Sequence, residues 1–364
     1  MSTEPHPTAS PSASLSLRLH DPGELVAAVP HLLGFRPVAS LVLVAVHDDG
    51  AGPGRRLGVV ARADLPPPEH VAAVVAGCAG RITATGPQEV AAIVVEEADG
   101  PDGADGPDEP PRQDVADAVR EAFAAHDVPV PTRLWVPRIV ADVSWRCYPP
   151  CDCRGRVGAT DDSPMAAAVA WLGQVTYGSR AELEASLAPG PPRPRLGELL
   201  RAELEAAVLD RELGGPAAAR RDLVAVAAAR DEVAAGRALT EAEIARVGVA
   251  LGDPTVRDIA MGWALDPDES VAAAAEQLWT LLVRAVPAPQ VADPAVLLAC
   301  SLLVRGGSAL VGIALERAQR ADPGHRLTNL VVALLGAGAG PEQVRGIIRD
   351  AAAECEARLR GRSG

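Results

Sequence analysis

The spacing of apolar and polar positions divides the chain into two parts. Between residues 15 and 187, short β-branched apolar runs are separated by stretches of helical spacing. The runs predict strands at 41–46, 57–63 and 91–96, and residues 134–136 and 139–148 together predict one or two further strands. The helical stretches predict helices at about 66–77 and at 113–126. This order of elements predicts an α/β domain, in which helices cover a mixed sheet.

From residue 195 to residue 364 the spacing is helical throughout, which predicts an all-α domain of about eight helices paired as hairpins. A Pro-rich linker at 188–194 precedes it. Helix N-terminal signatures stand at Ser163, Ser179 and Thr240. Residues 297–323 carry Ala and Leu at the spacing of a tetratricopeptide hairpin. One such copy leaves two alternatives open, a tetratricopeptide-like superhelical array and a compact bundle.

Two polar stretches predict no regular structure. Residues 1–14 are rich in Pro, Ser and Thr, and we expect a disordered tail without the apolar segment of a secretory signal. Residues 99–111 combine acidic and turn residues, as flexible loops do. No uninterrupted run of about 18 apolar residues occurs, so no membrane span is expected.

Composition excludes several chemistries. All 34 basic residues are arginine, so there is no lysine for a P-loop, a Schiff base or a kinase-type strand. The formal net charge of −14 repels nucleic acid and anionic membranes, and we expect neither as a partner. We expect a cytoplasmic protein, in which six cysteines are thiols or metal ligands rather than a disulfide framework.

Three of these cysteines lie within seven residues, at Cys147, Cys151 and Cys153. Thiolates this close could share a tetrahedral zinc ion whose fourth ligand is a His, an Asp or a distant Cys. Alternatively, Cys147 and Cys151 form a redox pair whose thiolate is stabilised by neighbouring arginines. A third interpretation is purely structural, with small residues packed in a tight Pro-Pro turn. The sequence establishes no cofactor, and zinc is the candidate.

Aromatic residues are scarce and unevenly placed. Five of the nine lie between residues 135 and 177, beside the cysteines. Large rings concentrated there could line a ligand pocket or a binding surface. The ligand-binding candidates are Trp145, Tyr148, Trp171 and Tyr177. The alternative is that these rings pack the seam between the sheet and the first following helix.

Other polar residues have simpler structural explanations. Asp161 and Asp162 could act as general bases, but just before Ser163 they complement a helix N-terminus. Ser179 lacks the glycines of a nucleophile elbow, and its capping box accounts for it. His31 and His47 flank the first strand and could bind metal or transfer protons, although a lone His there is usually structural. No complete catalytic set emerges, so whether the protein is an enzyme stays open.

Several segments together resemble one family. They are Leu32-Leu33-Gly34-Phe35-Arg36-Pro37, Ser40-Leu41-Val42, Trp145-Arg146-Cys147, Cys151-Asp152-Cys153, Ser179-Arg180, Val256-Arg257-Asp258 and Ala314-Leu315-Glu316-Arg317-Ala318. Through them the chain, over roughly residues 15–345, resembles the actinobacterial domain-of-unknown-function family 4192. The resemblance implies the two-part architecture and no established activity. In that family the cysteines are adjacent, whereas here Asp152 separates Cys151 from Cys153.

The helical half favours a non-enzymatic protein-interaction or scaffold protein whose grooves bind a protein partner. An alternative is a thiol- or zinc-dependent enzyme, or a metal-binding protein, centred on Cys147, Cys151 and Cys153. A second alternative is an α/β domain that senses a small ligand, which the aromatic cluster alone suggests.

Overall fold

The computed structural model describes residues 21–48, 55–96, 109–171, 175–305, 307 and 309–361. The tail predicted at 1–14 and most of the loop predicted at 99–111 lie outside these residues. In the described part, strands are confined to the region between residues 40 and 156, and only helices follow.

The first half holds six described strands and five α-helices. In chain order they are α1 (Pro22–Leu33), β1 (Ser40–Asp48), β2 (Arg55–Asp64), α2 (Val71–Thr83), β3 (Glu89–Val95), α3 (Gln113–Ala124), β4 (Thr132–Val136), β5 (Ser144–Cys147), β6 (Arg154–Arg156), α4 (Pro164–Trp171) and α5 (Arg180–Ser186). A 3-10 turn at Pro68–His70 precedes α2, which runs six residues beyond its predicted end. The predicted strands are present, whereas α1 and β6 were not expected.

Helix α1 is built from recognisable start and stop signals. The Asp21 side chain accepts a hydrogen bond from the Glu24 backbone N–H at 3.0 Å, and Pro22 occupies the first turn, where its missing N–H costs nothing. Gly34 ends the helix in the left-handed conformation, with φ of 81°. Pro30 lies inside the helix, which is why apolar spacing alone does not indicate a helix here.

The six strands form one mixed sheet in the order β2-β1-β3-β4-β5-β6. Neighbouring strands are antiparallel except β3 and β4, which are parallel. Helix α3 lies between these two strands in sequence and provides the crossover that parallel neighbours require. The predicted antiparallel pairing of the first two strands is confirmed, with Leu43 opposite Ala61.

Each face of the sheet is covered, because side chains alternate along the strands. Leu41 and Leu43 of β1 pack in one buried cluster with residues of α2 and α3, among them Phe123. Val42 and Val44 point to the other face, in a second cluster that also contains α1. This second cluster continues without interruption into the helical half of the chain.

Nine described α-helices make up the second half. They are α6 (Leu196–Gly214), α7 (Pro216–Ala234), α8 (Glu241–Ala250), α9 (Pro254–Gly262), α10 (Glu269–Ala285), α11 (Ala292–Val304), α12 (Ala309–Ala321), α13 (Arg326–Gly336) and α14 (Pro341–Gly361). Trp279 is fully buried and stacks on Trp263, with ring centroids 6.1 Å apart. The 297–323 hairpin corresponds to α11 and α12, and Gly306 between them lies outside the described residues.

The segment predicted as a linker lies against these helices. The Gly190 backbone N–H donates to the Arg284 carbonyl at 2.8 Å. A cleft of about 640 Å³ separates the prolines of this segment from the ends of α10 and α12. None of the described helices combines the length and the apolar character needed to cross a bilayer.

Candidate metal centre

Strands β5 and β6 form a hairpin that sets the positions of the cysteines. Arg146 pairs with Arg154 across the ladder, and the Cys147 N–H donates to the Cys153 carbonyl at 2.8 Å. Because side chains alternate along a strand, Cys147 and Cys153 share the face of the hairpin that carries Trp145. Trp145 and Cys147 both pack against the cluster that contains α1.

The connection between the two strands is fixed by its neighbours. The Tyr148 backbone N–H donates to the Arg133 carbonyl at 2.9 Å, and the Tyr148 hydroxyl donates to the Pro111 carbonyl at 2.6 Å. The Arg133 guanidinium in turn donates to the Pro149 carbonyl at 2.8 Å. At the end of this turn the Cys153 N–H donates to the sulfur of Cys151 at 3.4 Å. The turn thereby brings the third thiol back to the other two.

The three sulfur atoms lie within 4.8 Å of one another. Four-coordinate zinc holds thiolate ligands about 3.8 Å apart, given Zn–S bonds of about 2.3 Å. Small side-chain rotations would therefore bring these sulfurs to a shared ion. Among the described residues this is the only such group of three or more Cys, His, Asp or Glu ligand atoms. Among the residues that the structure describes, no fourth protein ligand joins the three cysteines.

The thiols differ in acidity. Burial, reinforced by hydrogen bonding to Cys151, raises the pKa of Cys147 to about 12. Hydrogen bonding to Cys151 also raises the pKa of Cys153. The pKa of Cys151 is lowered, first by the hydrogen bond from the Cys153 thiol and then by the Cys153 N–H. A single negative charge is therefore best placed on Cys151, where the neighbouring groups donate to it.

The arginines beside the cysteines do not produce this effect, contrary to the sequence-based expectation. Arg146, Arg154 and Arg156 alternate with the cysteines and Trp145, so they lie on the opposite face of the hairpin. There they line a cleft of about 400 Å³ together with Ser144. The pKa of Cys151 is lowered by the thiols of Cys153 and Cys147 and by the Cys153 N–H, and not by the arginines.

The aromatic candidates are not brought together in one pocket. Tyr148 is buried on the α2 and α3 face of the sheet, whereas Trp145 is buried on the other face and donates to the Arg156 carbonyl at 3.2 Å. Tyr177 is half-buried and its backbone bridges to Phe35. Trp171 is 68% exposed. These four rings therefore do not line one common pocket, and their role in ligand binding stays a prediction.

His31, His47 and Asp161 make contacts that stabilise the fold and lie apart from the cysteine group. His31 hydrogen-bonds to Thr176 Oγ1 at 2.9 Å and to the Thr160 carbonyl at 2.8 Å, and this fixes both ring nitrogens. The ring of His47 occupies the space above Gly58 of the neighbouring strand. Asp161 forms a 2.5 Å ion pair with Arg36.

Ser179 and Asp162 also lie outside the cysteine group. The Ser179 hydroxyl accepts from the Glu182 N–H at 3.1 Å, as its capping signature predicts. Asp162 is exposed just before α4, whose start is capped by Ser163. Neither residue contributes a ligand atom to the cysteine group.

A partly buried polar network in the helical half was not predicted from the sequence. His325 Nε2 donates to Asp293 Oδ1 at 3.0 Å, and Asp293 also pairs with Arg257 at 3.4 Å. His325 caps α13 through a hydrogen bond from the Thr328 N–H. The network ties α9, α11 and α13 together. The Asp293-Pro294 pair at a helix start was the available signal, but its partners are distant in sequence.

A comparison with models of protein families shows to which family the chain belongs. The family model described as Domain of unknown function (DUF4192) matches residues 22–342. The chain belongs to the DUF4192 family. The matched range contains both the cysteine hairpin and most of the helical half of this DUF4192 protein. No curated protein and no solved structure matches the chain.

Proposed function

We propose that this DUF4192 protein binds a thiophilic metal ion through Cys147, Cys151 and Cys153, with zinc as the first candidate. The observation that supports it is the placement of three sulfur atoms within 4.8 Å. Thiolates are soft ligands and prefer zinc or copper(I) to magnesium or calcium. The ion would replace the thiol protons and neutralise the repulsion between the resulting thiolates.

Three protein ligands leave one coordination position of zinc for water or a substrate atom, as in catalytic rather than closed structural sites. Cys151 and Cys153 are exposed, so that position faces solvent. The proposal thus includes a zinc-dependent activity at this position. It also implies a reducing compartment, in agreement with a cytoplasmic location, because oxidised cysteines cannot bind zinc.

The test is metal content under reducing, anaerobic conditions. The wild-type protein is expected to hold about one zinc per chain, and cobalt in its place should show sulfur-to-cobalt charge-transfer absorption. The triple variant Cys147→Ser, Cys151→Ser, Cys153→Ser should hold none. Cys78→Ala is the matched control, since Cys78 is buried elsewhere and should leave zinc binding intact. Wild-type protein that binds no zinc while three thiols titrate freely would contradict the proposal.

A second proposed function is protein interaction through the helical half, organised as tetratricopeptide-like hairpins or as a bundle in a domain of its own. The supporting observation is a set of large apolar side chains exposed on α6 and α7. They are Leu204, Val208, Leu209, Leu213 and Val224. A concentration of exposed apolar residues is typical of interaction surfaces.

This second function predicts a partner that depends on these side chains. Tagged wild-type protein and the variant Leu209→Glu, Leu213→Glu would be purified in parallel from the native cell and compared by mass spectrometry. A partner retained by the wild type and lost by the variant supports the function. Identical sets of co-purifying proteins would contradict it.

A further inference from the structure

Helix α6 is buried in the helical core at its start and becomes more exposed toward its end. Leu196 and Leu200, in its first two turns, are 3% exposed. Further on, exposure rises to 58% at Leu209 and 80% at Leu213. The inner side of the helix is still held, because the Arg211 guanidinium donates to the Val249 carbonyl of α8 at 2.8 Å. The outer side of α6 is therefore uncovered by the described part of the chain.

The outer side carries a coiled-coil pattern. Its apolar residues follow one another at intervals of three, four, three and four residues, which are the a and d positions of a heptad. They are Leu199, which is half-buried against the core at the start of the helix, and the exposed residues Ala202, Ala206, Leu209 and Leu213. We call them the α6 seam. Ala202 and Ala206 are small and exposed, so a second helix can approach closely at the middle of the seam.

Acidic residues occupy every flanking position of the α6 seam. The g positions are Glu198, Glu205 and Glu212, and the e positions between them are Glu203 and Asp210. Residues at e and g face the corresponding residues of a partner helix and determine which partner is accepted. In a parallel pair g faces e, and in an antiparallel pair g faces g and e faces e. A second copy of α6 would place carboxylates against carboxylates in both arrangements.

We propose that the α6 seam docks a helix of a partner protein that has apolar a and d positions and Arg or Lys at e and g. This inference rests on the proposed interaction function and adds the chemistry of the partner. The apolar seam contributes the area buried on docking. The acidic flanks select a cationic helix and reject a second copy of this chain.

The test uses three synthetic peptides of three heptads with Leu at a and d, which differ only in having Lys, Gln or Glu at e and g. Each is titrated against the full-length protein by fluorescence anisotropy. The Lys peptide should bind at least about tenfold more tightly than the Gln peptide, since several exposed ion pairs form with it and their small contributions multiply. The Glu peptide should not bind. Raising the salt concentration should reduce the difference between Lys and Gln.

Variants of the protein test which of its residues bind the Lys peptide. Leu209→Glu with Leu213→Glu should abolish binding of the Lys peptide, whereas Leu330→Glu, at a 51% exposed apolar position of α13, should leave it unchanged. Glu205→Lys with Glu212→Lys should transfer the preference to the Glu peptide. All five changed positions are exposed, and circular dichroism checks that each variant is folded.

The outcomes separate this inference from the function on which it rests. Equal binding of the Lys and Gln peptides, lost in the Leu209→Glu, Leu213→Glu variant, would overturn the cationic partner and leave the interaction surface standing. Lys-peptide binding that survives this double variant would overturn the α6 seam itself. Self-association of the wild type that the variant abolishes would identify a second copy as the occupant and also overturn the inference.

Discussion

At the scale of single residues, the cysteine hairpin shows how the two-residue period of a strand determines chemistry. Cys147 and Cys153 face one side, and Arg146 and Arg154 face the other. Nearness in sequence suggests that the arginines activate the thiols. The pleat of the strands separates them, and the lowered pKa of Cys151 arises from the neighbouring thiols and the Cys153 backbone N–H.

The first prediction concerns the order in which metal-free thiols react. Cys151 should be alkylated first, because its pKa is lowered and its side chain is exposed. Cys147 should react at least about tenfold more slowly, since burial raises its pKa to about 12. Timed alkylation near neutral pH, followed by peptide mass spectrometry, measures the order.

A variant tests the cause of this order. Hydrogen bonding to Cys151 is the main reason for the raised pKa of Cys153. In Cys151→Ser the thiolate that accepts this bond is lost, so Cys153 should react faster than in the wild type. An unchanged or slower rate for Cys153 would show that the thiols do not interact as described.

The second prediction concerns Gly155, which faces Trp145 across the hairpin. A Cβ at this position would lie 2.7 Å from the indole ring. Gly155→Ala should therefore destabilise the protein by about 1–3 kcal/mol and weaken zinc binding, because the displaced hairpin carries Cys147 and Cys153. Thermal unfolding and zinc titration measure the two effects.

Gly158 supplies the matched control for this substitution. A Cβ there would meet its nearest atoms at 3.9 Å and 4.0 Å, which is ordinary van der Waals contact. Gly158→Ala should leave both stability and zinc binding close to those of the wild type. If the two variants behave alike, the contact with Trp145 does not position the cysteines.

At the scale of elements, sequence reasoning succeeded where the signal is local. The capping box of Thr240 and Glu243 is present in full, and Ser179 caps α5 as expected. Strands β1 and β3 were found because continuous apolar runs mark fully buried strands. Each of these features depends on residues that are adjacent or a few positions apart.

Features that arise from pairing or packing, rather than from a local sequence pattern, were missed. Strand β6 has only three residues, Arg154, Gly155 and Arg156, and becomes a strand through pairing with β5. Likewise, the cysteines could be proposed as a group from their spacing, but their common face required the register of this hairpin. The network of His325, Asp293 and Arg257 joins three helices that no local pattern connects.

The third prediction uses two glutamates with opposite pKa shifts. Burial raises the pKa of Glu276 in α10 above its ordinary value of 4.5, although Arg305 opposes this from 3.2 Å. The folded protein therefore binds the proton more tightly than the unfolded chain does, and ionisation of Glu276 above pH 4.5 costs stability. Relative to the wild type, Glu276→Gln should gain stability as the pH rises above about 4.5, until the pH passes the raised pKa of Glu276 and the difference becomes constant. Thermal unfolding at constant ionic strength measures the difference.

Glu243 provides the opposite control. Hydrogen bonds from the Thr240 backbone and hydroxyl lower its pKa, so its ionised form stabilises the folded state. Glu243→Gln should be less stable than the wild type at neutral pH, and the difference should disappear as the carboxylate of the wild type is protonated. Parallel pH trends for the two variants would contradict the assigned causes.

At the scale of the whole molecule, one apolar cluster joins what the sequence divides into two domains. Val42 and Leu134 of the sheet, Leu187 and Leu196 beside the linker, and Trp279 of the helical half belong to the same buried cluster. An ion pair between Arg180 and Glu316 also connects α5 to α12. A continuous core favours unfolding of both halves together.

The fourth prediction follows from this shared core. Leu134 is fully buried in β4, and Leu134→Ala should cost about 2–5 kcal/mol through lost burial and the cavity left behind. If the halves unfold as one unit, this change in the sheet lowers the unfolding temperature of the helices as well. Far-ultraviolet circular dichroism follows mainly the helices, and calorimetry follows the whole chain.

The comparison of the two signals decides between one cooperative unit and two domains. Coincident transitions, both shifted by Leu134→Ala, are expected because the variant weakens a core that both halves share. A helical signal that keeps its wild-type midpoint while an earlier calorimetric peak appears would establish two independently stable domains. In that case the linker at 188–194, held to α10 by the hydrogen bond from Gly190 to Arg284, would be a true boundary. Helix α6 would then present the α6 seam and its acidic flanks from a domain that folds without the cysteine hairpin.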